Sequence, residues 1–213
     1  MKIPLMIFLL ANDYESFNFI CGQCQTLDFS QKNKNGENVT SLYMKIKNSK
    51  FSRNVINLDT FDMDFTDPTN GKNVLMLSVI TKSYRITEIL VKKSELLHEI
   101  NHKGENALII ACKANNYRSV EILLNYPVHI NINSQDEKGN TALHYAIECQ
   151  NPLIVQKLVE KGANDQLKDF KDQSPYDLAV EICDKTLMEA LKGNLKPLKK
   201  PYKRSKKMIT RKP

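Results

Sequence analysis

The sequence is poor in the residues that several common architectures require. Its 213 residues include only seven glycines and no tryptophan. No apolar run approaches the roughly 18 residues that a membrane-spanning helix needs, and so few glycines leave no candidate for a glycine-rich phosphate loop. The five cysteines are scattered and odd in number, which indicates thiols in a reducing compartment, the cytosol or nucleus, and not a disulfide framework.

Acidic residues are missing from the C-terminal end. Residues 192–213 hold ten lysines and arginines and no acid, whereas the residues before them carry 21 basic and 24 acidic side chains. The net charge of +7 therefore belongs to a tail, which we expect to be disordered because like charges repel. The tail is a candidate for nuclear import or for contact with nucleic acid or an anionic membrane surface. The import or phosphate-binding candidates are Lys199, Lys200, Lys203, Arg204, Lys206 and Lys207.

A period of about 33 residues organises the rest of the chain. Its recurring position, which we call the repeat mark, is filled by Gly36, Gly71, Gly104, Gly139 and Asp172. Turn-forming residue types mostly stand three positions before each mark, and helix N-cap types stand two positions after it. Apolar residues recur four, six and nineteen positions after it. Each unit therefore reads as a turn followed by two helices.

The period predicts an all-α array over residues 1–191 and a separate basic tail over residues 192–213. The predicted units lie near 1–35, 36–70, 71–103, 104–138, 139–171 and 172–191. In this phase the apolar N-terminal stretch reads as an inner helix and not as a secretory signal. Whether the first unit is a weak cap or the edge of a longer array stays open.

The fifth unit carries a family resemblance. Residues 139–146 read Gly-Asn-Thr-Ala-Leu-His-Tyr-Ala, and residues 152–164 read Pro-Leu-Ile-Val-Gln-Lys-Leu-Val-Glu-Lys-Gly-Ala-Asn. Together they resemble an ankyrin repeat, and the fourth and sixth units resemble it more loosely. The resemblance implies a solenoid of about six helix-turn-helix units joined by β-turn or hairpin loops. It further implies that His144 is a structural residue that hydrogen-bonds inner helices and loops.

A possible zinc motif is interrupted by the repeat pattern. His98, Glu99 and His102 spell H-E-x-x-H, which on a helix places two imidazoles one turn apart as zinc ligands. In the repeat phase the motif runs into the turn before Gly104, so no helix aligns the histidines. We therefore expect neither a metal site nor a metalloprotease here.

Other reactive residues also lack the context that chemistry needs. Cys21 and Cys24 form a single C-x-x-C with no second pair, and Cys21 falls at an apolar helix offset. We interpret it as a small buried hydrophobe instead of a metal or redox ligand. No Ser/His/Asp grouping is indicated by spacing. The sequence predicts no enzyme, no cofactor and no small-molecule substrate.

The leading functional hypothesis is a protein-interaction module, because stacked helix pairs present an extended concave surface on a rigid support. The concave face and the turn tips are its candidate contact surfaces. The ten candidates are Lys34, Glu37, Lys72, Lys103, Glu105, Glu137, Lys138, Asn140, Phe170 and Lys171. An alternative is a nuclear regulatory protein, similar to inhibitors of Rel-type transcription factors, whose tail contacts importin or nucleic acid. We expect a cytoplasmic or nuclear protein.

Overall fold

Helices make up most of the described structure. A computed structural model describes residues 6, 8, 10–11, 13–23, 31–45, 62–126 and 130–193. Its helices are α1 (Tyr14–Gln23), α2 (Val39–Lys45), α3 (Val74–Ile80), α4 (Tyr84–Leu90), α5 (Ser94–His98), α6 (Ala107–Lys113), α7 (Tyr117–Asn125), α8 (Ala142–Glu148), α9 (Pro152–Glu160), α10 (Pro175–Ile182) and α11 (Lys185–Leu191). In these ranges the β structure is a single antiparallel bridge between Thr66 and Asn73. The all-α prediction is confirmed.

The helices stack in two layers. The inner helices pack on one another in the order α2, α3, α6, α8 and α10, and the outer helices in the order α4, α7, α9 and α11. From α3 onward, each inner helix also packs against the outer helix that follows it within its unit. The fold is therefore the solenoid of helix pairs that the resemblance implies, in which each unit buries its neighbour.

The periodic apolar positions form the core. Residues four and eight positions after the mark are at most 1% exposed in units three to five. They are Leu75, Val79, Leu108, Cys112, Leu143 and Ile147. Nineteen positions after the mark, the outer helices bury Leu90, Leu123, Leu158 and Leu191. The predicted offsets of four and nineteen are thus confirmed in these units, and the offset of eight is a further core position that was not predicted.

The repeat mark is a left-handed backbone position. All five mark residues have positive φ, between 64° at Asp172 and 77° at Gly139. A Cβ on Gly104 would lie 3.2 Å from the Cα of Asp136, in the next turn. In the described part of the chain no further repeat turn packs against Asp172, whose side chain is 83% exposed. Glycine therefore occupies the marks at which the next repeat turn comes close. Aspartate, which tolerates this backbone conformation, occupies the last mark, where no such turn comes close.

Side-chain caps begin the inner helices as predicted. Asn38, Asn73, Asn106, Thr141 and Ser174 each accept a hydrogen bond from the backbone N–H three residues later. Each cap satisfies one of the donors that a first helical turn leaves without a partner.

The asparagine caps also connect the start of an inner helix to the chain beyond its outer helix. The Asn73 side-chain amide donates to the carbonyl of Leu96 at 3.0 Å, and that of Asn106 donates to the carbonyl of Asn131 at 3.1 Å. Both acceptors lie after the outer helix, in the segment that leads to the next unit. This second use of the cap residue was not predicted, because Ser, Thr and Asn all serve as caps, whereas the longer Asn side chain carries a separate amide donor that reaches the segment beyond the outer helix.

The structural role expected for His144 is confirmed. Its Nδ1 accepts the backbone N–H of Thr141 at 3.0 Å, so the ring proton sits on Nε2 and is donated to the carbonyl of Gln173 at 3.1 Å. Complete burial lowers the pKa of His144 and keeps the ring neutral. The histidine thus links the fifth unit to the turn of the sixth, where Thr141 has no amide to do so.

Two local predictions differ from the structure. Pro68 is in phase with the turn-forming residues of the other units, but Asp67 fills that role: its carbonyl accepts the N–H of Gly71 at 2.8 Å. This turn is one residue longer, which the fixed period did not allow. Helix α5 was also not predicted; its Leu96 and Leu97 are buried, and it packs against inner helix α3.

Some predictions lie outside the described residues. They concern residues 1–5, Cys24 with the C-x-x-C pair, the second helix of the second unit and the basic tail beyond residue 193. The proposed unit boundaries also stay predictions.

Candidate functional site

Each turn is closed by the side chain of its first residue. The Oδ1 atom of Asn101 accepts the backbone N–H groups of Lys103 and Glu105, at 2.8 and 3.0 Å. Asn33, Asp136 and Asp169 make the same pair of contacts in their own units. These side chains fix the backbone of the turn, so the residues at its tip project from a defined position.

The turns are also hydrogen-bonded to one another. The N–H groups of His102, Glu137 and Phe170 each donate to a carbonyl in the preceding turn, at 2.9–3.0 Å. The acceptors are the carbonyls of Asn70, Lys103 and Lys138. We call this series the tip ladder. It holds the turns of units three to six in register, so that their tips form a row.

Most predicted contact residues are accessible. Lys34, Lys103, Glu137, Lys138, Phe170 and Lys171 are exposed, and Glu37 and Lys72 are half-buried. Phe170 is 76% exposed, the highest fraction among the large apolar side chains of the described residues, and it is a candidate anchor because aromatic side chains often carry binding energy.

Two predicted contacts are wrong, because their side chains lie in the interior. Glu105 is 5% exposed and Asn140 is 8% exposed. Glu105 accepts a hydrogen bond from the Asn101 amide at 2.7 Å and pairs with the Lys113 ammonium. The sequence could not distinguish Glu105 and Asn140 from exposed tip residues, because both stand one position after the mark and this side chain becomes buried only when the unit folds.

A polar cluster lies beneath the tips of the fourth and fifth units. The Lys113 ammonium lies 4.6 Å from the centre of the Tyr145 ring, and the Tyr145 hydroxyl donates to the buried Asp136 carboxylate at 2.5 Å. Asp136 in turn closes the fifth turn through its other oxygen. Because every member is bonded to the next, the cluster ties the inner helices to the turns.

The pKa shifts fit this structural role. Burial disfavours the Lys113 ammonium, but the hydrogen bond and charge of Glu105 outweigh it and raise the pKa of Lys113. Burial also raises the pKa of Tyr145, and the hydrogen bond to Asp136 raises it further. The lysine therefore stays charged and the tyrosine keeps the proton that it donates.

The H-E-x-x-H residues are not arranged as zinc ligands. Helix α5 ends at His98, Glu99 is extended, and His102 lies in the turn with its ring over Gly71. Glu99 instead accepts a hydrogen bond from the Asn73 amide at 2.7 Å. The spacing that a metal-binding helix requires is therefore not formed, as the repeat phase predicted.

Among the residues that the structure describes, no three His, Cys, Asp or Glu side chains are close enough to hold a metal ion together. None of the helices described there combines the length and apolarity of a membrane span.

The family of the chain follows from its repeats. A family model described as ankyrin repeats in three copies matches residues 29–136 and 93–169. The chain belongs to the ankyrin repeat family, a fold that generally serves protein–protein interaction without catalysis.

Proteins of several organisms are similar in sequence to part of this chain. It is 25% identical to L371 of Acanthamoeba polyphaga mimivirus, which is named as an ankyrin repeat protein, over 76% of the chain. It is 33% identical to human oxysterol-binding protein-related protein 1 over 45% of the chain. These matches cover 22% and 11% of the two relatives, so the chain spans only a small part of their length.

Solved structures share the fold. The ankyrin repeat domain of Bcl-3, a member of the IkappaB protein family, superposes with a TM-score of 0.70 and 19% identity. That match covers 90% of this chain and 82% of the Bcl-3 chain. The ankyrin repeat protein EF0377 gives a TM-score of 0.72 at 20% identity, over 88% of this chain and 96% of its own.

Proposed function

We propose that the protein binds a partner protein through the tip row of units four to six. The observation that carries this proposal is that the same repeat position, one residue before the mark, is an exposed lysine in three consecutive units: Lys103, Lys138 and Lys171. The tip ladder joins their turns, so the backbone positions that carry the three lysines are held in a fixed series. Such a series favours a partner surface with carboxylates opposite it.

Phe170 adds an apolar anchor at one end of the row. Its backbone N–H is fixed in the tip ladder while its side chain remains largely in solvent. Aromatic residues on a rigid support are frequent sources of binding energy, because little conformational freedom is lost when they are buried. The partner should therefore offer an apolar pocket beside its acidic surface.

Charge reversal along the row tests the proposal. We expect the triple variant Lys103→Glu, Lys138→Glu, Lys171→Glu to bind its partner about tenfold or more weakly, because like charges then face one another. Affinity capture followed by quantitative mass spectrometry would find the partner, and calorimetry with the purified partner would measure the change in Kd.

A matched control variant makes the same number of Lys→Glu substitutions, but at positions outside the tip row. Lys92→Glu, Lys161→Glu and Lys185→Glu lie at the ends of outer helices α4, α9 and α11. We expect this variant to bind as the wild type does. A partner that bound the tip-row variant and the wild type equally well would contradict the proposal.

As a second proposal, the basic tail directs the protein to the nucleus. It is supported by two short basic clusters, Lys199-Lys200 and 203–207, of the kind that import receptors read. The proposal is also supported by the similarity in fold to the ankyrin repeat domain of Bcl-3, a member of the IkappaB protein family. Replacing the six tail candidates with alanine should shift a fluorescent fusion from nucleus to cytoplasm; an unchanged distribution would argue against the signal.

A further inference from the structure

Helix α10 exposes side chains at positions that the other units bury. Tyr176 and Val180 lie four and eight positions after the mark, and they are 39% and 47% exposed. Their counterparts Leu143 and Ile147, one unit earlier, are 1% and 0% exposed. The two side chains lie one helical turn apart and therefore share a face of α10. We call this face, with its neighbours Asp177 and Glu181, the α10 face.

In the earlier units, the positions equivalent to the α10 face are covered by a helix, which indicates that a helix would fit the α10 face. Inner helix α6 packs on α3, α8 packs on α6, and α10 packs on α8. The contact is direct at the equivalent positions: the Asn116 amide donates to the carbonyl of Val79, and the Cys149 thiol donates to the carbonyl of Cys112. In three successive units, then, the surface at these positions is covered by a helix of the next unit.

The charge of the α10 face limits the chemistry of its occupant. Asp177 and Glu181 are exposed beside the apolar pair. Asp177 Oδ2 is engaged by Ser174, which lowers the pKa of Asp177 and keeps it ionised. Glu181 Oε2 accepts a hydrogen bond from Gln173 at 2.8 Å. An occupant should therefore combine an apolar stripe with basic flanks.

We propose that the α10 face docks an amphipathic helix of a partner protein, with apolar residues at i and i+4 and lysine or arginine beside them. This surface is distinct from the tip row, whose lysines favour the opposite charge. The chain's own basic segment 194–213 matches in charge but not in pattern. Its apolar i, i+4 pair, Leu198 and Tyr202, has Pro201 between its members, and proline disrupts a helix interior.

A stapled helical peptide tests the proposal on the full-length protein. The probe is alanine-based, with leucines at i and i+4 and lysines beside them, and a second probe carries glutamates in place of the lysines. The readout is the NMR shift of the Val180 methyl groups during titration. We expect saturable binding of the lysine probe, and weakening of about tenfold or more in Tyr176→Ser, Val180→Ser, measured by calorimetry.

A charge swap separates recognition from a loss of structure. Glu181→Lys should weaken the lysine probe and strengthen the glutamate probe, a reversal that a damaged fold would not produce. The control Ile80→Ser, Ile100→Ser removes exposed apolar side chains elsewhere and should leave binding of the lysine probe unchanged.

Three results would overturn the proposal. The first is no binding, or binding that survives Tyr176→Ser, Val180→Ser. The second is self-association in sedimentation equilibrium that this variant abolishes, which would assign the face to a second copy. The third is tighter peptide binding when Lys203, Arg204, Lys206 and Lys207 are changed to glutamate, which would assign it to the chain's own tail.

Discussion

Gly139→Ala should destabilise the protein far more than Gly162→Ala does. Both glycines have positive φ, 77° and 88°, so alanine costs each about 1–2 kcal/mol in backbone strain. At Gly139 the added Cβ would also lie 2.7 Å from the backbone nitrogen of Phe170. Separating the two turns should add about 1–3 kcal/mol, the usual cost of overpacking. Urea denaturation followed by circular dichroism measures both variants.

Gly162 makes this comparison specific. A Cβ there meets nothing within 4 Å, so Gly162→Ala carries the backbone cost alone. Equal losses in the two variants would mean that the fifth and sixth turns do not touch, and the tip ladder would then be wrong at its last step.

Ile147→Ala should cost roughly 2–5 kcal/mol, whereas Val180→Ala should cost about 0.5 kcal/mol or less. The two residues fill the same repeat position, eight after the mark, but Ile147 is fully buried between inner helices and Val180 is 47% exposed. Both are β-branched residues in helices, so the gain in helix propensity on changing to alanine is similar. The free energy of unfolding in urea is the measurement.

The free energies of unfolding of Ile147→Ala and Val180→Ala also test whether the α10 face is open. If Val180→Ala were as destabilising as Ile147→Ala in the isolated protein, something would already cover Val180. A small loss at Val180 would agree with an open face on α10.

Much of the fold was predictable because the repeat imposes the same physical demand in each unit. The mark predicted the turns, since four of its five residues are glycines and all five adopt positive φ. The cap types predicted where inner helices begin. The apolar offsets predicted the core of units three to five, but Tyr176, four positions after the last mark, is 39% exposed because no following unit covers it in the described structure.

What the sequence could not predict depends on contacts between units. Glu105 and Asn140 resemble exposed turn residues until folding brings Asn101, Lys113 and Tyr145 around them. The tip ladder could not be predicted either, because it consists of backbone groups whose donors and acceptors do not depend on residue type.

The central claim is that the units stack in register and hold their tips in a rigid row. Amide hydrogen exchange tests it most directly at His102, Glu137 and Phe170, whose side chains are exposed while their N–H groups donate to the preceding turn. If the tips form a rigid row, these three amides should exchange about a hundredfold or more slowly than in an unstructured chain. Exchange at the rate of an unstructured chain would contradict the rigid row. Because the side chains of these three residues are exposed, slow exchange of their amides would have to come from the hydrogen bonds to the preceding turn.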